Sequence, residues 1–155
     1  MIKEEPQGLL LYWSPETAED VLRREKMLDY ATSDQFWRVK PGDTVWIVTV
    51  GKGELFLLGK LHVGDITNRI GAIQILGQGD MWGDKKYYAI AAPNTVEPLR
   101  KISLANIVGQ LSFESKRSKN LKLGVGNRVN AQQLQTMRLL DASSTGLLQR
   151  IWATQ

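Results

Sequence analysis

Ser33-Asp-Gln-Phe-Trp-Arg-Val-Lys-Pro-Gly-Asp-Thr-Val-Trp-Ile-Val-Thr-Val-Gly-Lys-Gly-Glu-Leu-Phe-Leu-Leu-Gly-Lys-Leu61 decides the fold of this chain. A polar and aromatic approach runs into a Lys-Pro-Gly-Asp turn, where Pro41 presets φ and Gly42 supplies a permissive backbone. Val45 to Val50 is dominated by strand formers, and Gly51 and Gly53 flank a tight reversal before a second apolar run. The stretch reads as the hairpin of a small curled sheet. Upstream, Leu9-Leu-Leu-Tyr-Trp13 is a short apolar run of the kind found in buried central strands. Ser14 then stands as a helix N-cap, with Pro15 at the first helical position and Glu16, Glu19 and Asp20 in the first turns. That helix is predicted to run to about Lys26.

Downstream, Met27 to Phe36 is ambiguous between a short helix and an ordered loop. Ala72 to Leu76 reads as a strand, Gly77 to Asp84 as a Gly-rich loop around Trp82, and Tyr87 to Ala92 as a strand. A short helix capped by Ser103 is predicted over Leu104 to Gln110, with Leu111 to Phe113 extended. Ser115 to Val129 is polar, basic and broken by two glycines, and reads as a long mobile loop; such loops are functional or disordered. Asn130 can cap a helix to about Leu140, and Asp141 or Ser143 a final one through Trp152. The expectation is one α+β domain over residues 1–155, with five or six strands and flanking helices.

Composition narrows the chemistry. The 155 residues suit one domain with one core. With no cysteine, disulfides, thiolate catalysis and Cys-based zinc sites are excluded together, and His62 as the sole histidine argues against a His-based metal centre or a Ser-His relay. Gly51-Lys-Gly53 and Gly124-Val-Gly126 lack the Walker spacing and the dinucleotide-binding pattern, so no cofactor is expected. Acids such as Asp43, Glu54 and Asp65 fall in turns and a hairpin, without a spacing that suggests a nuclease cluster. No apolar run approaches the roughly 18 residues of a membrane span. The Met-Ile-Lys-Glu-Glu-Pro start lacks the apolar region of a secretory signal, so the expectation is a cytoplasmic protein without membrane contact.

Charge is unevenly spread. Residues 1 to 97 carry 11 Lys and Arg against 14 Asp and Glu, whereas residues 98 to 155 carry 9 against 2. A basic C-terminal third suits a polyanionic partner, and equally a solvated surface. Lys116, Arg117, Lys119, Lys122 and Arg128, with Arg100 and Lys101 upstream, are the candidates for phosphate contact, which gives affinity without sequence information.

The five tryptophans divide by context. Trp46, within a strand, and Trp152, within a helix, read as core. Trp37 reads as rim or core, core preferred. Trp13 at a strand end and Trp82 in a glycine-rich loop are the candidates to line a pocket, because aromatic faces can hold an extruded base on two sides. Ser14, Ser33, Asp34, Gln35 and Thr49 are the polar candidates around the same concavity. Asp34, as a pure acceptor, favours a base with an exocyclic amine such as cytosine. Ser14 as a helix cap, and Ser33-Asp34 as a turn, are the structural alternatives.

Taken in order, these segments resemble the EVE branch of the PUA-like superfamily, small β-barrel domains that read bases in nucleic acid. Tyr12-Trp-Ser-Pro15 is similar to that family's Trp, Lys-Ser and Pro-bearing strand end. Asp34-Gln-Phe-Trp-Arg-Val-Lys-Pro-Gly-Asp43 falls where the family has Asn-Asn-Leu-Arg and then Lys-x-Gly-Asp. Gly59-Lys-Leu-His-Val63 falls at its Val-Gly-x-Ala strand. Ala131 to Leu140, Leu147-Leu148 and Ile151-Trp152 look like the tail of EVE-like domains found beside HNH nucleases. Asp34 replaces the family's usual Asn, and Val48-Thr49 its aromatic strand end. The resemblance implies a PUA-like pseudo-barrel and a non-catalytic reader that binds DNA and holds a flipped modified base, methylated or hydroxymethylated cytosine favoured, as a module of a restriction system with a nuclease partner or fused domain. The alternatives are an RNA-binding PUA-like domain acting on tRNA or rRNA, and a small nuclease or hydrolase.

Overall fold

A computed structural model describes residues 5–155. In chain order the elements are β1 (Gly8–Tyr12), α1 (Pro15–Arg24), β2 (Met27–Leu28), β3 (Tyr30–Ser33), β4 (Thr44–Gly51), β5 (Glu54–Thr67), α2 (Arg69–Leu76), β6 (Tyr87–Ala91), β7 (Glu97–Pro98), β8 (Ile102–Ser103), β9 (Arg138–Leu140) and α3 (Ala142–Ala153). The protein is α+β, a curled mixed sheet with flanking helices. Seven strands form one sheet in the order β3-β6-β5-β4-β1-β9, with β8 also on β5, while β2 and β7 pair separately. That is more strands than the five or six expected, because the sequence gives little sign of the shortest ones.

The hairpin at 44–67 is the spine. β4 pairs antiparallel with β5 on one side and parallel with β1 on the other, Leu10 opposite Trp46 and Trp46 opposite Lys60. β5 is long enough to serve three neighbours: residues 54–62 pair with β4, residues 56–57 also with β8, and residues 63–67 with β6. It turns between β4 and β6 at an irregularity spanning Val63 and Asp65. Only glycine fits at position 64, since a Cβ there would sit 2.7 Å from Ala92 Cα. This bend curls the sheet.

Both faces of the central strands are buried, which explains their unbroken apolar runs. Leu9, Leu11, Val45 and Ile47 join Tyr30, Phe36, Trp82 and Tyr88 inside the curl. Leu10, Trp46 and Val48 face the other way, onto Leu104, Phe113, Leu134, Leu148 and Trp152 from the C-terminal third. The curl does not close through backbone pairing, because β3 and β9 end the sheet order. Side chains span that seam. Gln35 accepts from the Met137 N–H (2.7 Å) and donates to the Gln135 carbonyl (3.2 Å), and the Arg38 guanidinium donates to the Met137 carbonyl.

Several expectations are corrected. Residues 72–76 are helical, not extended: Asn68 caps α2 by accepting from Gly71 N–H (2.9 Å), and Gly77 ends it in the left-handed conformation (φ 69°). The helix expected from Asn130 to about Leu140 is a 3-10 turn, Ala131–Leu134, followed by strand β9. Arg138 to Leu140 extend because β1 offers an unpaired edge, a long-range demand that overrides local helical spacing. Ser103 ends β8 and accepts from Ala105 N–H (3.2 Å), and only Val108–Gln110 of the helix expected there forms, as a 3-10 turn. The ambiguous 27–36 stretch contains β2 and β3. Asp141 does cap α3, accepting from Ser144 N–H at 2.9 Å.

The basic segment 115–129 follows an irregular path and is held at several points. Phe113 N–H donates to Lys119 O (2.8 Å), Asn120 to Leu111 O (2.9 Å), and Val129 N–H to Gly53 O (2.8 Å). Gln133 grips Lys122 twice, accepting from its N–H and donating to its carbonyl. Arg138 lies over the Phe113 ring, 4.1 Å from its centroid, and donates to the Ser118 and Gln133 carbonyls. Leu121 and Val129 are buried.

Candidate functional site

At the seam of the curl lies a cleft of about 510 Å³. Its walls come from the end of β1 (Leu11 to Ser14), the first turns of α1, the end of β3 (Thr32 to Gln35), residues 82–85 and Gln135. Six of the seven candidate pocket residues, Trp13, Ser14, Ser33, Asp34, Gln35 and Trp82, line it. The seventh, Thr49, does not. Its hydroxyl donates to the Trp13 carbonyl (2.8 Å), and it lines a separate depression beside Pro15 and Phe56. Its effect on the cleft passes through Trp13.

The two tryptophans form a floor, not a vice. Trp13 and Trp82 are buried and meet edge to face, centroids 5.3 Å apart at 81°. A base would need two roughly parallel faces about 7 Å apart to be sandwiched, and these rings touch, so the expected flanking arrangement is absent. Trp82 instead stacks on Tyr30, 4.9 Å and 22°. The Trp13 indole N–H is buried with no acceptor among the described residues. Such orphan donors in a native fold call for an explanation, a water or ligand acceptor among them.

The loop carrying Trp82 is pinned from below. Tyr30 Oη donates to Trp82 O (3.1 Å) and accepts from Trp82 N–H (2.6 Å). Burial pushes the Tyr30 phenol upward, which keeps it protonated for this double role. Arg69 donates to Gly83 O and Tyr88 Oη, both at 2.8 Å, and Tyr88 Oη donates to Gly83 O (2.9 Å). Gly83 is required twice over: its φ is +82°, and a Cβ there would lie 2.2 Å from Thr32 Cγ2. Sequence inspection missed Tyr30, Arg69 and Tyr88. Nothing in their local context marks them, because their partners lie far away along the chain.

The rim is polar and acceptor-rich. Asp34 is exposed, with Oδ1 accepting from Lys86 N–H (2.8 Å); its other oxygen has no protein partner among the described residues. Ser33 Oγ accepts from Gln35 N–H (3.0 Å), and Ser14 caps α1 by accepting from Thr17 N–H (3.2 Å). Gln35 spends its amide on the seam, which makes it a closure residue at the wall. Asp20 and Asp84 add carboxylates and Lys85 the one cation among the described lining residues, so a ligand edge that donates hydrogen bonds is favoured over an anionic one. Asp20 is already engaged by Arg23 at 2.8 Å.

Trp37 is 71% exposed in the 3-10 turn Phe36–Arg38, so the preference for core was misplaced. Trp46 and Trp152 are core, and the Trp152 indole donates to Glu97 (2.9 Å). Of the basic candidates, Lys116 and Lys119 border a shallow depression with Phe113, and Lys122 sits on Gln133, two residues from the cleft residue Gln135. Arg128 lies against Gly53 at the tip of the β4–β5 hairpin, and Arg100 stacks on Trp152 and donates to its carbonyl. Lys101 lies over the Phe56 ring.

No protein-family model matches this chain, and no curated protein does. Among solved structures, that of a hypothetical protein from Leishmania major is similar in fold, with a TM-score of 0.50 over 95% of this chain and 94% of its own, at 15% identity. Among the described residues no group of three or more acidic, His or Cys side chains is placed to hold a metal ion, and no helix is long and apolar enough to cross a membrane.

Proposed function

We propose that this protein is a cytoplasmic, non-catalytic reader of nucleic acid that receives one extruded base in the seam cleft. The base is a modified cytosine in duplex DNA, and any cleavage is supplied by a nuclease partner or fused domain, as in EVE-like modules of restriction systems. The observation that carries this is convergence: residues 13–14, 33–35 and 82, distant in sequence, surround one cleft with an aromatic floor and a carboxylate edge. At about 510 Å³ the cleft has the size of a small-ligand site. Asp34 offers an acceptor to an exocyclic amine, as cytosine N4 requires. The exposed Trp37, two residues beyond Gln35 in the chain, supports the reading by offering an aromatic face for stacking. Lys85 and Lys86 beside Asp34, and Lys122 beyond Gln133, provide cations for the backbone.

The test is competition among duplexes carrying unmodified, methylated or hydroxymethylated cytosine, with RNA hairpins alongside. The wild type is expected to prefer one modified duplex, and Asp34→Ala to lose roughly 1–3 kcal/mol of discrimination between that duplex and one carrying thymine at the same position. Non-specific affinity should change little, since Asp34 is exposed and makes one backbone contact. Equal, salt-sensitive binding of every probe would refute a base pocket, and a preference for RNA would move the partner to tRNA or rRNA.

A further inference from the structure

A second cavity, about 880 Å³, opens between β1, β4 and β5 on one side and the N-terminal half of α3 on the other. Strand register builds its wall. Thr44 pairs with His62 and Trp46 with Lys60, so these four side chains leave the sheet on one face. Thr145, Gly146 and Gln149 of α3 stand opposite. The helix approaches closely because residue 8 has no side chain: a Cβ on Gly8 would lie 2.5 Å from Thr145 Oγ1.

Lys60 is only 8% exposed. Its ammonium donates to Gln149 Oε1 and lies 5.4 Å from the centroid of the Trp46 ring. The nearby carboxylate, Glu97 Oε2, stands at 3.9 Å, beyond hydrogen-bond reach, and Glu97 Oε1 is taken by the Trp152 indole. A buried cation is costly unless paired and hydrogen-bonded; here the Glu97 ion pair is long and the one hydrogen-bond acceptor among the described residues is a neutral amide, which leaves donors of the ammonium unused. Directly across the strand pair, the Trp46 indole N–H is buried and has no acceptor among the described residues. Lys60 and the Trp46 ring thus stand side by side at one cavity wall. Burial pushes Lys60 down and Glu97 only partly opposes it, while burial with the Lys60 charge pushes His62 down.

We propose that this cavity binds a small organic anion, its carboxylate or phosphate seated against Lys60, its apolar body against Pro6, Leu140 and the Trp46 ring. Exposed Glu5 and Glu114 at the rim repel a polyanion, so the ligand is a small molecule and not a nucleic-acid backbone. The site stands independently of the seam cleft.

The experiment follows the indole N–H signals of the five tryptophans by NMR, with Trp46 assigned through Trp46→Phe, while benzoate, phenyl phosphate or inorganic phosphate is titrated in. A saturable shift of the Trp46 signal is expected with benzoate or phenyl phosphate bound beside its ring, with the Trp13 signal unmoved. Lys60→Met should weaken it roughly tenfold or more, and Lys60→Arg should retain it. Should Lys60→Met fail to fold, the wild-type Lys60 Cε signal decides: it should titrate at higher pH with ligand than without. No saturable shift, an unchanged affinity in Lys60→Met, or an unmoved Lys60 titration overturns the proposal. Equal binding of inorganic phosphate overturns the role given to the apolar wall.

Discussion

Replacing Tyr30 by Phe removes one oxygen and tests what holds the cleft together. The ring and its stack on Trp82 remain (4.9 Å, 22°), so packing changes little. What is lost is a hydroxyl that serves two backbone groups of Trp82, the N–H at 2.6 Å and the carbonyl at 3.1 Å, in a buried setting. An unsatisfied buried polar group costs about 1–3 kcal/mol, so two orphaned together should cost about 2–4 kcal/mol once partial relaxation is allowed. For a chain of this length that is a fall of roughly 4–16 °C in Tm. Tyr88→Phe is the matched control. Gly83 O, which accepts from Tyr88 Oη at 2.9 Å, keeps the Arg69 guanidinium at 2.8 Å. The control should therefore cost less than about 1 kcal/mol. Urea unfolding of the two variants, with unchanged m-values, measures the difference, and hydrogen exchange at Trp82 N–H should accelerate only in Tyr30→Phe. A Tyr30→Phe protein within about 0.5 kcal/mol of wild type would refute the assignment of Tyr30 as the anchor of the Trp82 loop.

Two further outcomes follow from the charges. Replacing Lys116, Arg117, Lys119 and Lys122 together by Ala should weaken binding of modified and unmodified oligonucleotides alike and flatten the dependence of affinity on salt, and an unchanged slope would remove the loop from the phosphate interface. Asp141 is held below the ordinary carboxylate range, first by the Ser112 hydroxyl and then by the Ser144 N–H it caps. A depressed folded-state value means the unfolded chain takes up the proton first, so this stabilisation is whole above about pH 4 and disappears as pH falls through the lower folded-state value. Asp141→Asn keeps a competent cap, so the stability gap between it and wild type should shrink below about pH 4 in acid-to-neutral unfolding series. A gap that stays constant with pH would show that the carboxylate charge is not used.

Residues with short-range signals behaved as their neighbours dictate. Ser14-Pro15 starts α1, Asp141 caps α3, and the Pro-Gly turn with the Gly-Lys-Gly reversal sets the β4–β5 hairpin, because each is a bargain struck within four or five residues. Trp13, Ser14, Ser33, Asp34, Gln35 and Trp82 line one cleft because the curl of the sheet brings the ends of β1 and β3 and the loop before β6 together. Short apolar runs were not legible: Ala72-Ile-Gln-Ile-Leu76 suits either helix or strand by period, and only the Asn68 and Gly77 caps make it helical. Arg138 to Leu140 became a strand because β1 had an open edge, which no local window reveals. Tertiary structure alone decided that Trp13 and Trp82 touch, that Gln35 closes the seam to Met137, and that Lys60 faces Trp46 beneath α3. Those facts depend on strand register and on contacts between residues far apart in the chain. One step of register would move each of those strand side chains to the other face of the sheet.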